Sequence, residues 1–320
     1  MRRLGGNLKQ DPRDGQWLTP KLVQTRAGDL EVGEFGNPNS PALILLPHGL
    51  GDWSSLGHVA LDLAVLEPDL RIVSLSRLGC GKTPCVRAGV SDPLLFEASN
   101  TIPALMDALG IEAAHFVGHA DGATVALIFA GLFPDRALSV VGLSAYAFAD
   151  QYLRATLEPM SSLADGPHSL SNFPSVVDSN TRFLRWREDR LWECETNWNA
   201  MKFFRGGSIP VTLIQGARDE FISINQAAAI TACVQGDVCW ITLQNAGHFV
   251  HLDNPQQIVR LIQRQLEQAR RAIVRSVVAI DDTIVRPIPK STVPEAVQLC
   301  GLAPRSLLVQ DEAPAWLLPA

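Results

Sequence analysis

One turn between a predicted strand and a predicted helix has the residue pattern of a nucleophile elbow with a single departure. The segment Val117-Gly118-His119-Ala120-Asp121-Gly122 would match G-x-S-x-G if position 120 held serine. The glycines have a mechanical role, because neighbouring side chains would clash in so strained a turn. The turn directs residue 120 into a site at a helix N-terminus, which favours developing negative charge. The backbone N–H of Asp121 is therefore a candidate oxyanion donor.

Two later loops carry an acid and a base. Asp219 ends the segment Ile214-Gln215-Gly216-Ala217-Arg218-Asp219, and His248 lies in Asn245-Ala246-Gly247-His248-Phe249-Val250-His251. In these positions Asp219 is expected to orient His248 and to stabilise its imidazolium. His248 is expected to act as the general base toward residue 120 and then toward water.

Both roles have a competitor nearby in the sequence. Glu220 is next to Asp219, and the G-x-x-D offset favours Asp219. His251 lies three residues after His248, and the position directly after a glycine favours His248 as the base. We interpret His251 as a structural hydrogen bonder and His119 as a residue that packs behind the turn.

Apolar runs and helical patterns alternate along most of the chain, which predicts an α/β fold with a mostly parallel sheet and flanking helices. Leu22–Thr25 and Leu30–Phe35 are predicted to form a hairpin. Further strands are predicted at 42–46, 71–75, 114–117, 138–143, 211–214 and 238–243, and helices at 94–109, 123–133, 225–234 and 255–275.

The strand–helix rhythm divides the chain into three parts. We predict a core formed by residues 17–145 and 209–275. Residues 146–208 are richer in charge and tryptophan, which indicates an inserted cap over the carboxyl edge of the sheet, where open α/β sheets bind ligands. Residues 276–320 form a proline-punctuated C-terminal extension of unknown role.

Taken together, the motifs resemble the α/β-hydrolase superfamily over about residues 20–272. The segment Gly118-His119-Ala120-Asp121-Gly122-Ala123 is similar to the G-H-S-D-G-A pattern of bacterial esterases, lactonases and carbon–carbon bond hydrolases. Residues 76–83 (S-R-L-G-C-G-K-T) and 246–255 (A-G-H-F-V-H-L-D-N-P) are similar to two further family motifs. The resemblance implies an α/β-hydrolase fold with a helical cap, the family order of nucleophile, acid and histidine, and no metal or organic cofactor.

The resemblance also implies an oxyanion hole and a substrate pocket. Pro47-His48-Gly49-Leu50-Gly51 follows a buried strand, and the N–H of Leu50 would be the second oxyanion donor beside that of Asp121. Losing one such donor costs about 100- to 1,000-fold in rate. The residues predicted to contact substrate are His48, Trp53, Phe148, Trp192 and Trp198. Tryptophans at near-helical spacing are equally compatible with the core of the cap.

The departure from the family pattern is Ala120, because a methyl group cannot attack a carbonyl. Removing such a nucleophile costs on the order of 10⁴- to 10⁶-fold in rate. The otherwise complete set of motifs favours an engineered Ser→Ala variant of an enzyme. Two alternatives stay open: a His248/Asp219 dyad without a nucleophile, as in lyases or cofactor-free oxygenases of the family, and a non-catalytic ligand-binding sensor.

The expected function is hydrolysis of a carboxylic ester or lactone through a Ser-His-Asp triad whose nucleophile is replaced here. A cap of about sixty residues suits a moderately large apolar ester or a macrocyclic lactone. Bacterial esterases that open macrolide rings belong to the same superfamily, which makes such a lactone one candidate substrate.

Composition argues against several other classes of protein. The net charge of −6 lacks the basic footprint of a nucleic-acid binder. No apolar run is long enough to span a bilayer, and the first residues lack the apolar region of a signal peptide. Six scattered cysteines without C-x-x-C spacing favour a reducing compartment. We therefore expect a cytoplasmic protein acting on a small molecule, with no nucleic-acid or membrane partner, in an oligomeric state that stays open.

Overall fold

The computed structural model describes residues 20–85, 90–153 and 198–281. Within them, eight strands form one sheet in the order β1-β2-β4-β3-β5-β6-β7-β8. The strands are β1 (Lys21–Thr25), β2 (Gly28–Phe35), β3 (Ala42–Leu46), β4 (Arg71–Leu75), β5 (Ala114–His119), β6 (Ala137–Leu143), β7 (Val211–Gly216) and β8 (Val238–Leu243).

The first two strands pair antiparallel to each other, and β2 also pairs antiparallel to β4. Every pairing from β4 through β3 to β8 is parallel. Because β3 and β4 exchange places in the sheet relative to the chain, the loops after β3 and β5 emerge side by side at its carboxyl edge. This is the edge at which open α/β sheets place their ligands.

Helices cover both faces of the sheet. They are α1 (Gly57–Leu66), α2 (Pro93–Phe96), α3 (Ile102–Ala108), α4 (Asp121–Leu132), α5 (Ile224–Cys233), α6 (Val250–Asp253) and α7 (Pro255–Asp281). A π-helical turn, Glu97–Thr101, joins α2 to α3, and short 3-10 helices occur at Pro134–Arg136 and Met201–Arg205.

Two apolar layers result from this arrangement. On one face, α3, α4 and α5 pack on the sheet around residues such as Phe116 and Phe129. On the other face, α1 and α7 pack around Leu63 and Ile262. The central strands β3, β4 and β5 are buried along their whole length. For β3 the continuous apolar run predicts this, as expected of a strand covered on both sides.

The predicted fold class is confirmed: the sheet is mostly parallel and helices flank it. Two of the predicted helices differ from the expectation. The single helix predicted at 94–109 contains the π turn at Glu97–Thr101, and α7 continues to Asp281, past the predicted core boundary at 275. The greater part of the predicted cap (154–197) and residues 282–320 lie outside the described residues, so the division into core, cap and extension stays a prediction.

Candidate active site

The turn between β5 and α4 has the strained geometry of a nucleophile elbow. Ala120 has φ 49° and ψ −116°, and it is one of two non-glycine residues with positive φ in the described part of the chain. A Cβ on Gly122 would lie 2.1 Å from the carbonyl oxygen of Leu46, and one on Gly118 would lie 2.4 Å from the amide of Ala123. Only glycine fits at both positions, so the turn is fixed around a buried Ala120.

Asp219 and His248 form a buried pair at the ends of β7 and β8. The Asp219 oxygens lie 3.1 and 3.2 Å from His248 Nδ1, and both side chains are buried. Asp219 Oδ1 also accepts the N–H groups of Phe221 and Ile222 at 2.9 Å. Burial by itself would raise the pKa of Asp219, but the hydrogen bonds from His248 and the two amides outweigh it and lower that pKa below its usual value.

The competing carboxylate, Glu220, contacts a different part of the same histidine. Its Oε2 accepts the backbone N–H of His248 at 3.2 Å, while Asp219 contacts the ring. The structure therefore brings the predicted acid, and not its neighbour, to the imidazole. The competing histidine, His251, is buried and stacks on His58, whose Nε2 lies 2.9 Å from the His251 carbonyl oxygen.

The ring of His119 packs among three other histidines beneath the elbow. Its centroid lies 4.8 Å from that of His248, 4.6 Å from that of His251 and 5.7 Å from that of His48. Burial lowers the pKa of His119 well below its usual range, and the neighbouring histidines lower it further. The pKa of His251 is likewise lowered well below its usual range, first by burial and then by the surrounding histidines. Both rings are therefore neutral at pH 7.

The loop that follows β3 is held from two directions. The N–H of Leu50, the predicted oxyanion donor, donates to His48 Nδ1 at 3.3 Å. From the other side, the guanidinium of Arg77 donates to the Pro47 carbonyl at 3.0 Å and pairs with the buried carboxylate of Glu97 at 2.5 and 2.9 Å. The second predicted donor, the N–H of Asp121, stands at the first residue of α4.

Three of the residues predicted to contact substrate pack against the body of the protein. Trp53 lies over β2, where a Cβ on Gly33 would come within 2.5 Å of its ring. Phe148 forms an antiparallel bridge with Asn199 and packs on the core. Trp198 is buried, makes an edge contact with Tyr146 and donates from Nε1 to Asp92 at 3.1 Å.

Of the remaining predicted contacts, Trp192 lies outside the described residues, and His48 lies in the loop after β3, in contact with His119 and Phe249. Each substrate contact stays a prediction.

Three further residues belong to this region, and no sequence motif predicts their contacts. Ser144 follows β6 and donates from Oγ to the carbonyl of His248 at 2.9 Å. Tyr146 donates to the Asp121 carboxylate at 2.9 Å, and Glu97 pairs with Arg77. Ser144 and Tyr146 are marked in the sequence only by their position shortly after a strand, and nothing in the sequence distinguishes Glu97 from its neighbours.

Comparison with known proteins identifies the class. A model of the alpha/beta hydrolase family matches residues 43–261. The chain therefore belongs to the alpha/beta hydrolase family.

The individual relatives have low sequence identity to this chain or align with only part of it. The chain is 30% identical over 263 residues to the dihydrolipoyllysine-residue acetyltransferase component of the acetoin cleaving system of Pseudomonas putida, covering 76% of this chain and 68% of the relative. It is 35% identical over 103 residues to epoxide hydrolase B of Mycobacterium tuberculosis, covering 32% of this chain and 28% of that protein. The crystal structure of a hydrolase from Pseudomonas aeruginosa PA01 aligns with TM-score 0.62 and 17% identity, covering 78% and 98% of the two chains.

None of the helices described is both long and apolar enough to cross a membrane. Within residues 20–85, 90–153 and 198–281, no group of three or more His, Cys, Asp or Glu side chains is arranged to hold a metal ion, even where histidine rings are in contact.

Proposed function

We propose that this site belongs to a carboxylic ester or lactone hydrolase of the Ser-His-Asp type, with Ala120 in place of the nucleophilic serine. The observation that carries the proposal is the pairing of Asp219 with His248 beside an elbow that keeps its strained geometry without a nucleophile. Strain of this kind costs about 1–3 kcal/mol and persists where the surroundings impose it.

With serine at position 120, the reaction follows the triad mechanism. The hydroxyl attacks the ester carbonyl while His248 Nε2 takes its proton, and Asp219 holds the Nδ1–H and stabilises the imidazolium. His248 then protonates the leaving alcohol, and it next deprotonates the water that hydrolyses the acyl-enzyme.

The oxyanion of each tetrahedral intermediate would lie between the N–H groups of Leu50 and Asp121. The Leu50 amide donates to His48 Nδ1 at 3.3 Å, which is long for a hydrogen bond between neutral partners. A charged oxygen binds such a donor about twice as strongly as a neutral acceptor. We therefore expect the oxyanion to displace His48 from the Leu50 amide.

The test is a comparison of the chain as it stands with Ala120→Ser. Both proteins are treated with a serine-directed fluorophosphonate probe and assayed on p-nitrophenyl esters of increasing chain length and on a macrocyclic lactone. The double variant Ala120→Ser/His248→Ala is the control, because it has the hydroxyl without the base. Labelling and turnover in Ala120→Ser, and in neither of the other two, support the proposal.

The intact dyad favours a second candidate, a lyase or cofactor-free oxygenase in which His248 is the base and no nucleophile is needed. Turnover of a non-ester substrate by the chain with Ala120, lost in His248→Ala, would support this candidate over the first. If neither the chain with Ala120 nor Ala120→Ser has any activity, and an ester or lactone binds tightly, both candidate enzymes are overturned. A ligand-binding protein then remains.

A further inference from the structure

The backbone carbonyl of His248 is held by two side chains outside the proposed triad. Ser144 Oγ donates to it at 2.9 Å, and His119 Nε2 lies 3.1 Å from it. Both donors are fully buried. A carbonyl oxygen has two lone pairs, so these two donors satisfy it completely.

The two donors come from the rigid centre of the sheet. His119 is the last residue of β5 and directly precedes Ala120, and Ser144 directly follows β6. Strands β5 and β6 pair along their length, with His119 opposite Leu143. The loop that carries His248 is therefore fastened to the strand ends that also present the elbow.

The backbone at Ser144 indicates that its hydroxyl has a specific use. Ser144 has φ 48°, and Ala120 is the other described non-glycine residue with positive φ. An L-residue is strained in this region, whereas glycine adopts it freely. The strained serine places its hydroxyl on the His248 carbonyl, a contact that glycine could not make.

His119 makes its contact as a neutral donor. The carbonyl acceptor requires a proton on Nε2, so Nδ1 carries the lone pair; that Nδ1 is buried and has no hydrogen-bond partner. The titratable groups that face His119 are His48, His248 and His251. Burial, reinforced by these neighbours, holds the pKa of His119 well below its usual range. It therefore adds no charge beside the imidazolium that forms on His248.

We propose that His119 and Ser144 are positioning residues that hold the backbone of His248 so that its ring stays aligned between Asp219 and residue 120. The proposal rests on the proposed function for the role of His248 as the base. It extends the set of groups that fix this histidine: Asp219 at the ring, Glu220 at the N–H, and His119 with Ser144 at the carbonyl. Loss of either carbonyl donor lets the loop move while the triad residues themselves remain.

The first test uses the full chain with Ala120 and needs no activity. The proton on His248 Nδ1, shared with Asp219, is observed by NMR in protein labelled with ¹⁵N-histidine and is assigned by its loss in His248→Asn. The measured quantity is the broadening of this proton's resonance by exchange with water. Nearby aromatic rings change the chemical shift of the resonance but not this broadening. We expect faster exchange in Ser144→Ala, Ser144→Gly and His119→Phe, and slow exchange retained in His119→Gln, whose amide can replace Nε2–H.

The two Ser144 variants separate positioning from folding stability. Both lack the hydroxyl, but glycine also removes the backbone strain, so Ser144→Gly should have the higher thermal midpoint. Equal acceleration of exchange in the two variants, despite different midpoints, supports positioning. If the exchange rate of the His248 Nδ1 proton instead changes in proportion to the thermal midpoint, or does not change in either variant, the positioning role of Ser144 is overturned. Unchanged exchange in His119→Phe alone overturns the part assigned to His119. Ser144→Gly keeps the test available if Ser144→Ala fails to fold.

The second test places the same substitutions in Ala120→Ser. Misalignment of a base acts on the transition state, so we expect kcat to fall by about 10- to 100-fold, with KM changed by less than about twofold. His119→Gln should recover most of the loss caused by His119→Phe. A weaker KM with kcat unchanged would overturn the proposal. If Ala120→Ser is inert toward every ester, the proposed function fails, while the exchange measurement still decides whether His119 and Ser144 hold the loop.

Discussion

Two adjacent carboxylates divide the contacts to one histidine. Asp219 accepts from the His248 ring and from two backbone amides, whereas Glu220 is exposed and accepts only the backbone N–H of His248. The buried position lets one charge act on the imidazole without competition from water. The residue at the ring is therefore expected to determine the tautomer, and its neighbour only the position of the loop.

This division predicts unequal effects of two conservative substitutions made in Ala120→Ser. Asp219→Asn should lower kcat by about 10⁴-fold, because the amide favours the wrong tautomer of His248. Glu220→Gln should lower kcat by less than about 10-fold, because Gln still accepts the backbone N–H. Steady-state hydrolysis of a p-nitrophenyl ester measures both. Comparable losses in the two variants would contradict the assignment of Asp219 as the acid.

For individual residues, the sequence predicts those that lie within a motif. It does not predict contacts between residues that the sheet brings together from distant parts of the chain. Asp219 and His248 follow strands at recognisable offsets, and the structure pairs them. Ser144 lies 104 residues from His248 along the chain, and its contact depends on the alignment of β6 with the loop after β8. No local pattern encodes that alignment, so the role of Ser144 could not be inferred from sequence.

At the scale of elements, a π turn places the charge that supports the loop after β3. The N–H of Ile102 bonds to the carbonyl of Glu97, five residues back, and Pro103 follows with no N–H to donate. Glu97 thereby reaches Arg77, and both side chains are 1% exposed. Because Arg77 also donates to the carbonyl of Pro47, the helix fixes the loop through this pair.

The buried Arg77–Glu97 pair predicts that a conservative substitution will lower the free energy of unfolding strongly. Glu97→Gln keeps the shape but removes the carboxylate that pairs with the buried Arg77 guanidinium. Breaking such a buried pair costs about 3–5 kcal/mol. The matched control is Arg26→Gln, which removes the exposed ion pair of Arg26 with Asp107, whose side chains are 62% and 44% exposed; such pairs contribute about 0–1 kcal/mol. Urea denaturation measures both free energies of unfolding, and similar small losses would count against a structural role for the buried pair.

Element prediction succeeds for α7, which has one polar face, and fails for α1, which has apolar residues on both faces. The amphipathic pattern after Pro255 predicts α7, which buries Ile258, Ile262 and Leu266 against the sheet. In contrast, no prediction covers α1 (Gly57–Leu66), because apolar residues occupy its exposed face as well as its buried one: Val65 and Leu66 are exposed. Periodicity is then lost, and burial against the sheet supplies the information that the pattern lacks.

For the whole molecule, the two apolar layers enclose histidines as well as hydrocarbon. His115 is buried beside Ser139, and His119 and His251 lie beneath the elbow. Burial, with a smaller contribution from Arg270, lowers the pKa of His115 to about 4. The α/β class follows from the order of strands and helices. The sequence does not say that His115, His119 and His251 would lie in the interior, because histidine is common on both surfaces and interiors.

These buried imidazoles predict a loss of stability in mild acid. Each is neutral when folded and has a lowered pKa, while the unfolded chain binds a proton near pH 6.5, so the unfolded state takes up more protons as the pH falls below that value. The free energy of unfolding should therefore decrease from about pH 6.5 downward, with a slope that approaches about 1.4 kcal/mol per pH unit for each histidine. Glu34 and Asp219 have lowered pKa values too, but stability from carboxylates is lost only below about pH 4.5.

The window between pH 6.5 and 4.5 therefore isolates the histidines. Urea denaturation at half-unit steps across it measures the slope, which should approach that of three protons, about 4 kcal/mol per pH unit. His115→Gln removes one titrating group far from the proposed active site, and it should lower the slope by about one third whatever it does to stability at pH 7. The same slope in His115→Gln would mean that His115 does not contribute to it. A flat profile would mean that all three rings take up protons without unfolding, and the neutral state of His119 would then lose its support.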